Sequence, residues 1–201
     1  MGVTCVFPIT IPDGKSSHQV FDCIQKKLEF VSAEKVGSWN VDCEAYQSTQ
    51  TTDGNVKLIY LMHSSEQPQL TFSILENNTC VVSDNGFHLM ISKLKLFYTP
   101  RKGGKIDVKG TKYALGDFDI KVGNITQASN FKGILMEVEY KPCSVPNQCW
   151  SLLNEFVTTV LHINATFPTQ PRSLVDQKLN MFCIADTMLQ YLPFISSTKK
   201  S

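Results

Sequence analysis

Charge is scarce in this sequence. Asp, Glu, Lys and Arg make up 18% of the 201 residues, and the two signs nearly cancel to a formal net charge of +1. A near-neutral chain has no global field to draw it to nucleic acid or to an anionic membrane surface. Long apolar runs are missing too, and no stretch reaches the roughly 20 residues that a membrane-spanning helix needs. The apolar residues 2–11 are broken by Pro8 and have no basic stretch before them, so no secretory leader is expected. Met1-Gly2 opens like a myristoylation signal, yet Val6 stands where Ser or Thr is wanted.

Catalytic motifs are equally sparse. There is no Gly-x-Ser-x-Gly elbow, no Walker loop and no dinucleotide fingerprint. His18, His63, His88 and His162 are isolated, with no acid or cysteine beside them in a triad-like pattern. Seven cysteines are present, an odd number at scattered spacings, which fits free thiols in a reducing compartment. Cys143 and Cys149 are too far apart for a zinc knuckle, and no histidine follows at finger spacing. The sequons at Asn77, Asn124 and Asn164 read as chance matches in a chain that is not secreted. The cytoplasm or the nucleus follows.

What the chain does have is alternation. Ile106, Val108 and Gly110 alternate with Asp107, Lys109 and Thr111; Phe118, Ile120 and Val122 alternate with Asp117, Asp119 and Lys121; Met136, Val138 and Tyr140 alternate with Glu137 and Glu139. Successive strand side chains point to opposite faces, so each run predicts a strand with an apolar and a polar face. Residues 3–10, 39–45, 57–63, 70–75 and 80–83 read as further strands. Helical spacing appears at 16–30, capped by Ser16 or Ser17, at 84–98 behind Asp84, at 150–161, and after Asp186. Gly103-Gly104 is expected to end the second helical unit, 163–174 to form a loop, and 196–201 to be a disordered tail.

Interspersed rather than alternating helices argue for antiparallel pairing. The expected fold is α+β, one domain over residues 1–201, with an antiparallel β-barrel-like sheet and helices packed on its outside. Closure would remove sticky edges.

Three constellations are candidates for function. The acidic pairs Asp42/Glu44, Asp117/Asp119 and Glu137/Glu139, if all turned into one lumen, would hold a divalent metal while Lys105, Lys109, Lys112 and Lys121 gripped phosphates. That is the logic of a metal-dependent triphosphate-tunnel phosphohydrolase. Against it, polar-out alternation is the default for a solvated strand face, and only one Glu-x-Glu is present. The basic stretch Arg101, Lys102, Lys105, Lys109 and Lys112 reads either as a solvated turn or as a contact for an acidic protein surface; it lacks the aromatics that stack on bases. Finally, 42% hydrophobic content beside so little charge hints that a partner covers part of the surface, and the face of Phe118, Ile120 and Val122, or the face opposite them, is the expected interface.

Several stretches in order resemble the Mediator subunit 20 family, of the animal branch. They are Met1 to Val6, Lys27-Leu-Glu29 with Ala33-Glu-Lys35, Val41-Asp-Cys-Glu44, Tyr60-Leu-Met-His63, Lys93-Leu-Lys95, Gly110-Thr-Lys-Tyr113, Phe118 to Gly123, Val138-Glu-Tyr140 with Pro142-Cys143, Cys149 to Leu153 and Ala185-Asp-Thr-Met188. The loop at 47–55 and the linker at 168–171 depart from it. The resemblance implies a fold shared with Mediator subunit 18, a heterodimer with that subunit in the head module, and a tether through Mediator subunit 8. It also implies a nuclear jaw meeting the RNA polymerase II and TATA-binding protein machinery, without catalysis, cofactor or metal, without direct sequence-specific nucleic-acid contact, and away from membranes.

Overall fold

Alternation sorts the side chains of one long sheet onto two faces, and each face finds its own helices. The computed structural model describes residues 1–49, 56–163, 165–169 and 181–197. In chain order the elements are β1 (Val3–Ile9), α1 (Ser17–Phe30), β2 (Glu34–Ser48), β3 (Leu58–Ser64), β4 (Gln67–Leu75), β5 (Cys80–Asp84), α2 (Gly86–Lys93), β6 (Tyr98–Leu115), β7 (Phe118–Gln127), β8 (Asn130–Tyr140), α3 (Pro146–Glu155) and α4 (Ile184–Ser197). A π-helical turn, Phe156–Val160, extends α3. The strands form one sheet in the order β1-β8-β7-β6-β2-β3-β4-β5, with every neighbouring pair antiparallel.

On the first face, Val3, Cys5 and Phe7 of β1, Ile120 and Val122 of β7, and Ile134, Met136 and Val138 of β8 meet Val20, Ile24 and Leu28 of α1 and Cys149 and Leu153 of α3. The three α1 residues recur every four positions, one stripe of a helix. Ser16 starts α1 with a reciprocal cap: its hydroxyl accepts from the Gln19 backbone N–H, and the Gln19 side chain accepts from the Ser16 N–H. Further along the same face, Ile91 of α2 packs on Tyr46, Ile59 and Leu61.

The second face belongs to α4. Val6, Trp39, Val41, Cys43, Met62, Phe72, Val108 and Leu135 converge on Met188, Tyr191, Leu192 and Ile195. Laid flat, eight strands would span about 34 Å. The 14-residue α4 is only about 21 Å long. It packs against β1 at one edge and against β4 and β5 at the other, so the sheet must curl around it.

The α+β class and the antiparallel pairing are as the sequence predicts, but closure is not. β1 and β5 remain edges, and a helix rather than a strand pair fills the space between them. The Gln190 side chain of α4 substitutes for the missing strand: its Oε1 accepts from the Val6 N–H at 3.0 Å, and its Nε2 donates to the Thr4 carbonyl at 2.9 Å. Two groups in the middle of the β1 edge are satisfied in this way, which weakens it as a template for pairing. The helices are therefore not all outside; α1, α2 and α3 cover one face while α4 fills the other.

Local boundaries differ for identifiable reasons. α2 ends at Lys93 instead of near residue 98, because the Phe97 and Tyr98 N–H groups turn back onto the Leu94 carbonyl. Gly103-Gly104 does not end a unit but lies inside β6. Pro146 takes the first turn of α3, where its missing N–H costs nothing, so that helix begins before Trp150. Asp186 sits in the first turn of α4 and accepts from the Cys183 N–H at 2.9 Å. Residues 198–201 of the expected tail, and 164 and 170–174 of the expected loop, lie outside the described residues; Ser196 belongs to α4.

Candidate functional site

The most charged interior region lies where β7 and β8 face α4. The register sets Lys121 directly opposite Glu137. Lys121 Nζ donates to Glu137 Oε1 at 2.7 Å, and the Tyr191 hydroxyl donates to Glu137 Oε2. Glu66, from the β3–β4 turn, accepts from Lys112 at 2.7 Å and lies 3.5 Å from Lys121. Asp119 holds Lys112 at 3.2 Å and Lys141 at 3.1 Å. Glu139 accepts from the Gly2 N–H at 2.7 Å. A cleft of about 340 Å³ opens onto this network between Glu66, Lys121, Glu137 and Thr187.

The electrostatics are self-contained. Burial alone would push the Lys121 ammonium down, but the charge and hydrogen bond of Glu137 override it and hold the group above its ordinary value. Burial would raise Glu66 and Asp119, yet the lysine hydrogen bonds and charges hold both below the usual carboxylate range. Burial, then the Glu137 charge, pushes the Tyr191 hydroxyl well up, so it stays a donor. Every ammonium here already has a carboxylate.

The sheet does not bring the three acidic pairs together. Asp42 and Glu44 point to the opposite face from Glu137 and Glu139, since Val41, Cys43 and Leu135 are the residues that share the α4 side. There Asp42 meets His63 at 3.3 Å, and Glu44 meets His88 at 3.3 Å and Lys105 at 3.9 Å. The His63 and His88 rings lie 5.0 Å apart and join α2 to the sheet. Asp117 precedes β7 in the turn and offers its carbonyl to the Lys141 N–H. Among the described residues no group of three or more His, Cys, Asp and Glu side chains converges as a metal site. Of the histidines that look isolated in the sequence, His63 and His88 acquire their acids from β2, the Asp42–His63 pair following from the β2–β3 register, while His18 meets Asp22 one turn along α1 at 3.0 Å.

Phe118, Ile120 and Val122 are not a free face. Ile120 and Val122 are fully buried in the chain's own core beneath α1 and α3. Phe118 is half-buried and stacks on Phe156 with ring centroids 3.7 Å apart. The expectation of an exposed apolar strand is therefore corrected: the apolar stripes of this chain's own helices cover it.

The basic stretch divides as well. Lys112 belongs to the buried network, Lys109 lies 3.8 Å from Asp107, and Lys105 reaches Glu44. Arg101 and Lys102 remain outward, in a segment of β6 that bulges from β2: Glu44 opposes Lys105 and Tyr46 opposes Pro100, so four residues, 101–104, stand opposite a single β2 residue, Ala45, with residues 101–103 exposed and Gly104 buried.

These features define a class: an α+β protein whose antiparallel sheet is closed on both faces by its own helices and whose interior charges neutralise one another. The chain belongs to the Mediator subunit 20 family. The family model described as the TATA-binding related factor of subunit 20 of the Mediator complex matches residues 1–196. The chain is 40% identical over 204 residues to Mediator of RNA polymerase II transcription subunit 20 of Mus musculus, covering 100% of this chain and 95% of that protein. It is 39% identical to the Homo sapiens protein with the same coverage. A chain of the Schizosaccharomyces pombe Mediator head module is similar with a TM-score of 0.41 and 13% identity, covering 81% of this chain and 94% of that one.

Proposed function

We propose that the chain is a non-enzymatic, nuclear subunit of the Mediator coactivator, working in the head module as one half of a heterodimer with Mediator subunit 18. Subunit 8 would tether the pair, and the pair would help couple regulators to the RNA polymerase II and TATA-binding protein machinery. The observation that carries this reading is family membership across residues 1–196, at about 40% identity to named subunit 20 proteins. The site chemistry supports it. The carboxylates that a phosphohydrolase would need for metal are split between the two faces of the sheet, and those facing α4 are engaged by Lys112, Lys121, Lys141, Tyr191 and the Gly2 N–H. No helix among the described residues is long and apolar enough to cross a membrane.

Because Ile120 and Val122 are already buried, pairing would use surface outside the α1/α3-covered face. The test is co-expression with subunit 18, followed by size exclusion with light scattering. A one-to-one complex supports the reading. A lone monomer that ignores subunit 18, or manganese-dependent hydrolysis of triphosphate that is lost in Glu137→Gln, overturns it.

A further inference from the structure

We propose that the surface formed by Leu96 and Phe97 with Lys93, Lys95, Arg101 and Lys102 is a docking site for an acidic peptide segment of a partner protein that carries apolar anchor residues.

The surface is assembled from two tight turns and a bulge. Leu94 closes α2 by donating to the Met90 and Ile91 carbonyls, then accepts from Phe97 and Tyr98, which folds residues 93–98 onto themselves. The Thr49 N–H donates to the Phe97 carbonyl at 2.8 Å and fixes this turn to the end of β2. Leu96 is 83% exposed and Phe97 47%, with Leu89 and Met90 of the preceding helical turns also open to solvent. Burying large apolar groups is worth about 25 cal/mol per Å², so several exposed within nine residues are a concentration that a partner could use.

The cations are the second part. Lys93, Lys95, Arg101 and Lys102 are exposed, and none forms an ion pair with a described residue, whereas Lys105, Lys109, Lys112, Lys121 and Lys141 all do. The bulge that presents Arg101 and Lys102 is specified by the chain. Gly103 has φ +68, and a Cβ at Gly104 would lie 2.8 Å from the Arg101 carbonyl oxygen. The Gln127 side chain holds the bulge by donating to the Gly103 carbonyl at 2.6 Å.

Charge complementarity selects the occupant. Four unneutralised cations within residues 93–102, the same ten-residue stretch that exposes Leu96 and Phe97, fit carboxylates flanking apolar anchors. Nucleic acid fits less well, because Leu89, Met90 and Leu96 do not stack on bases. The inference stands apart from the pairing with subunit 18, and its test separates the two.

The test uses the full chain, alone and as the subunit 18 complex, in fluorescence anisotropy with a labelled peptide of mixed Asp, Glu, Leu and Phe. Saturable binding is expected. It should fall at least about tenfold in R101E/K102E, weaken in Phe97→Ser, and weaken again when the peptide's Leu and Phe become Ser. All the altered residues are exposed, so circular dichroism should be unchanged. Several results would overturn the proposal: absence of binding, binding indifferent to R101E/K102E, equal binding of the Ser-substituted peptide, tighter binding of a single-stranded RNA probe, or loss of binding in the subunit 18 complex.

Discussion

Lys121 of β7 and Glu137 of β8 are direct cross-strand partners, and their charged atoms lie 2.7 Å apart between the sheet and α4. Both side chains are buried, at 7% and 5% exposure. Glu137 also takes the Tyr191 hydroxyl, so one carboxylate ties two adjacent interior strands to the helix that fills the sheet.

Removing one member of such a pair strands the other. Glu137→Ala is expected to cost about 3–5 kcal/mol, because the Lys121 ammonium is left buried with only the more distant carboxylates of Glu66 and Glu139. Lys121→Met combined with Glu137→Leu and Tyr191→Phe, which also removes the hydroxyl that Glu137 accepts, should recover most of that loss, since a buried polar cluster contributes little net energy over apolar side chains of similar size. Urea denaturation of both variants checks this; a loss below about 1 kcal/mol in the single variant would show that the pair is not structurally required.

The outer carboxylates set an acid limit. Glu66 and Asp119 lie below their ordinary values of 4.5 and 3.8. A carboxyl depressed in the folded state adds stability that is complete above its unfolded value and is lost as pH falls through its folded value. Lys112 and Lys121 are raised above 10.5, so their contribution is complete below that value and fades as pH rises past it. The stability difference between the wild-type chain and Glu66→Gln should therefore be constant from about pH 5 to 10 and shrink below about pH 4. A difference that varies across the neutral range would contradict the assignment.

Gly110 and Gly123 oppose each other across β6 and β7, beneath Trp39. A Cβ at Gly110 would sit 1.8 Å from the Val122 carbonyl oxygen, and one at Gly123 would lie 2.8 Å from the Lys109 oxygen and 3.2 Å from the Trp39 ring. Gly110→Ala is expected to abolish soluble folding. Gly123→Ala should lower stability by about 1–3 kcal/mol through overpacking. Thermal melts of the two variants would rank them, and equal tolerance of both would argue against this close approach.

Thiol chemistry offers an independent check on burial. Cys23 on α1 is exposed, while Cys5, Cys43 and Cys149 are buried. Burial raises the Cys80 thiol to about 11 and the Cys149 thiol to about 12, which suppresses their thiolates near neutrality. Iodoacetamide at pH 8 should modify Cys23 first, as read by peptide mass spectrometry. Earlier modification of Cys149 would require α3 to open.

The strands were legible because alternation is a local signal, and β7 and β8 fall where Phe118, Ile120 and Met136 place them. The first part of β2 was not, because Gly37 sits at a register shift and the exposed Val36 interrupts the pattern. Helical spacing identified α4 through Met188, Leu189, Leu192 and Ile195, but periodicity does not say which face of a sheet a helix covers. Its position depends on Gln190 meeting a strand 184 residues away. The misreading of Phe118, Ile120 and Val122 has the same origin: an apolar face awaits a cover, and only the tertiary structure shows that α1 and α3 provide it. The Lys121–Glu137 pair had a usable signal. Ala128 and Ser129 form the tight turn of the β7–β8 hairpin, and once it is placed, the pairing follows to within the one shift at Ile125/Thr126.

The pairing of β1 with β8 imposes an order of events on the ribosome. Val3–Ile9 is synthesised early, yet its contacts, such as Gly2 with Glu139, span 137 residues. At ordinary elongation rates, on the order of 10 s pass before that partner emerges. Throughout that interval an apolar strand is exposed with both edges open, and the amide of Gln190, which finally satisfies one of them, emerges later still. Newly made chains are therefore expected to need more chaperone protection at β1 than the stability of the finished protein would indicate, which crosslinking of stalled nascent chains to chaperones would read.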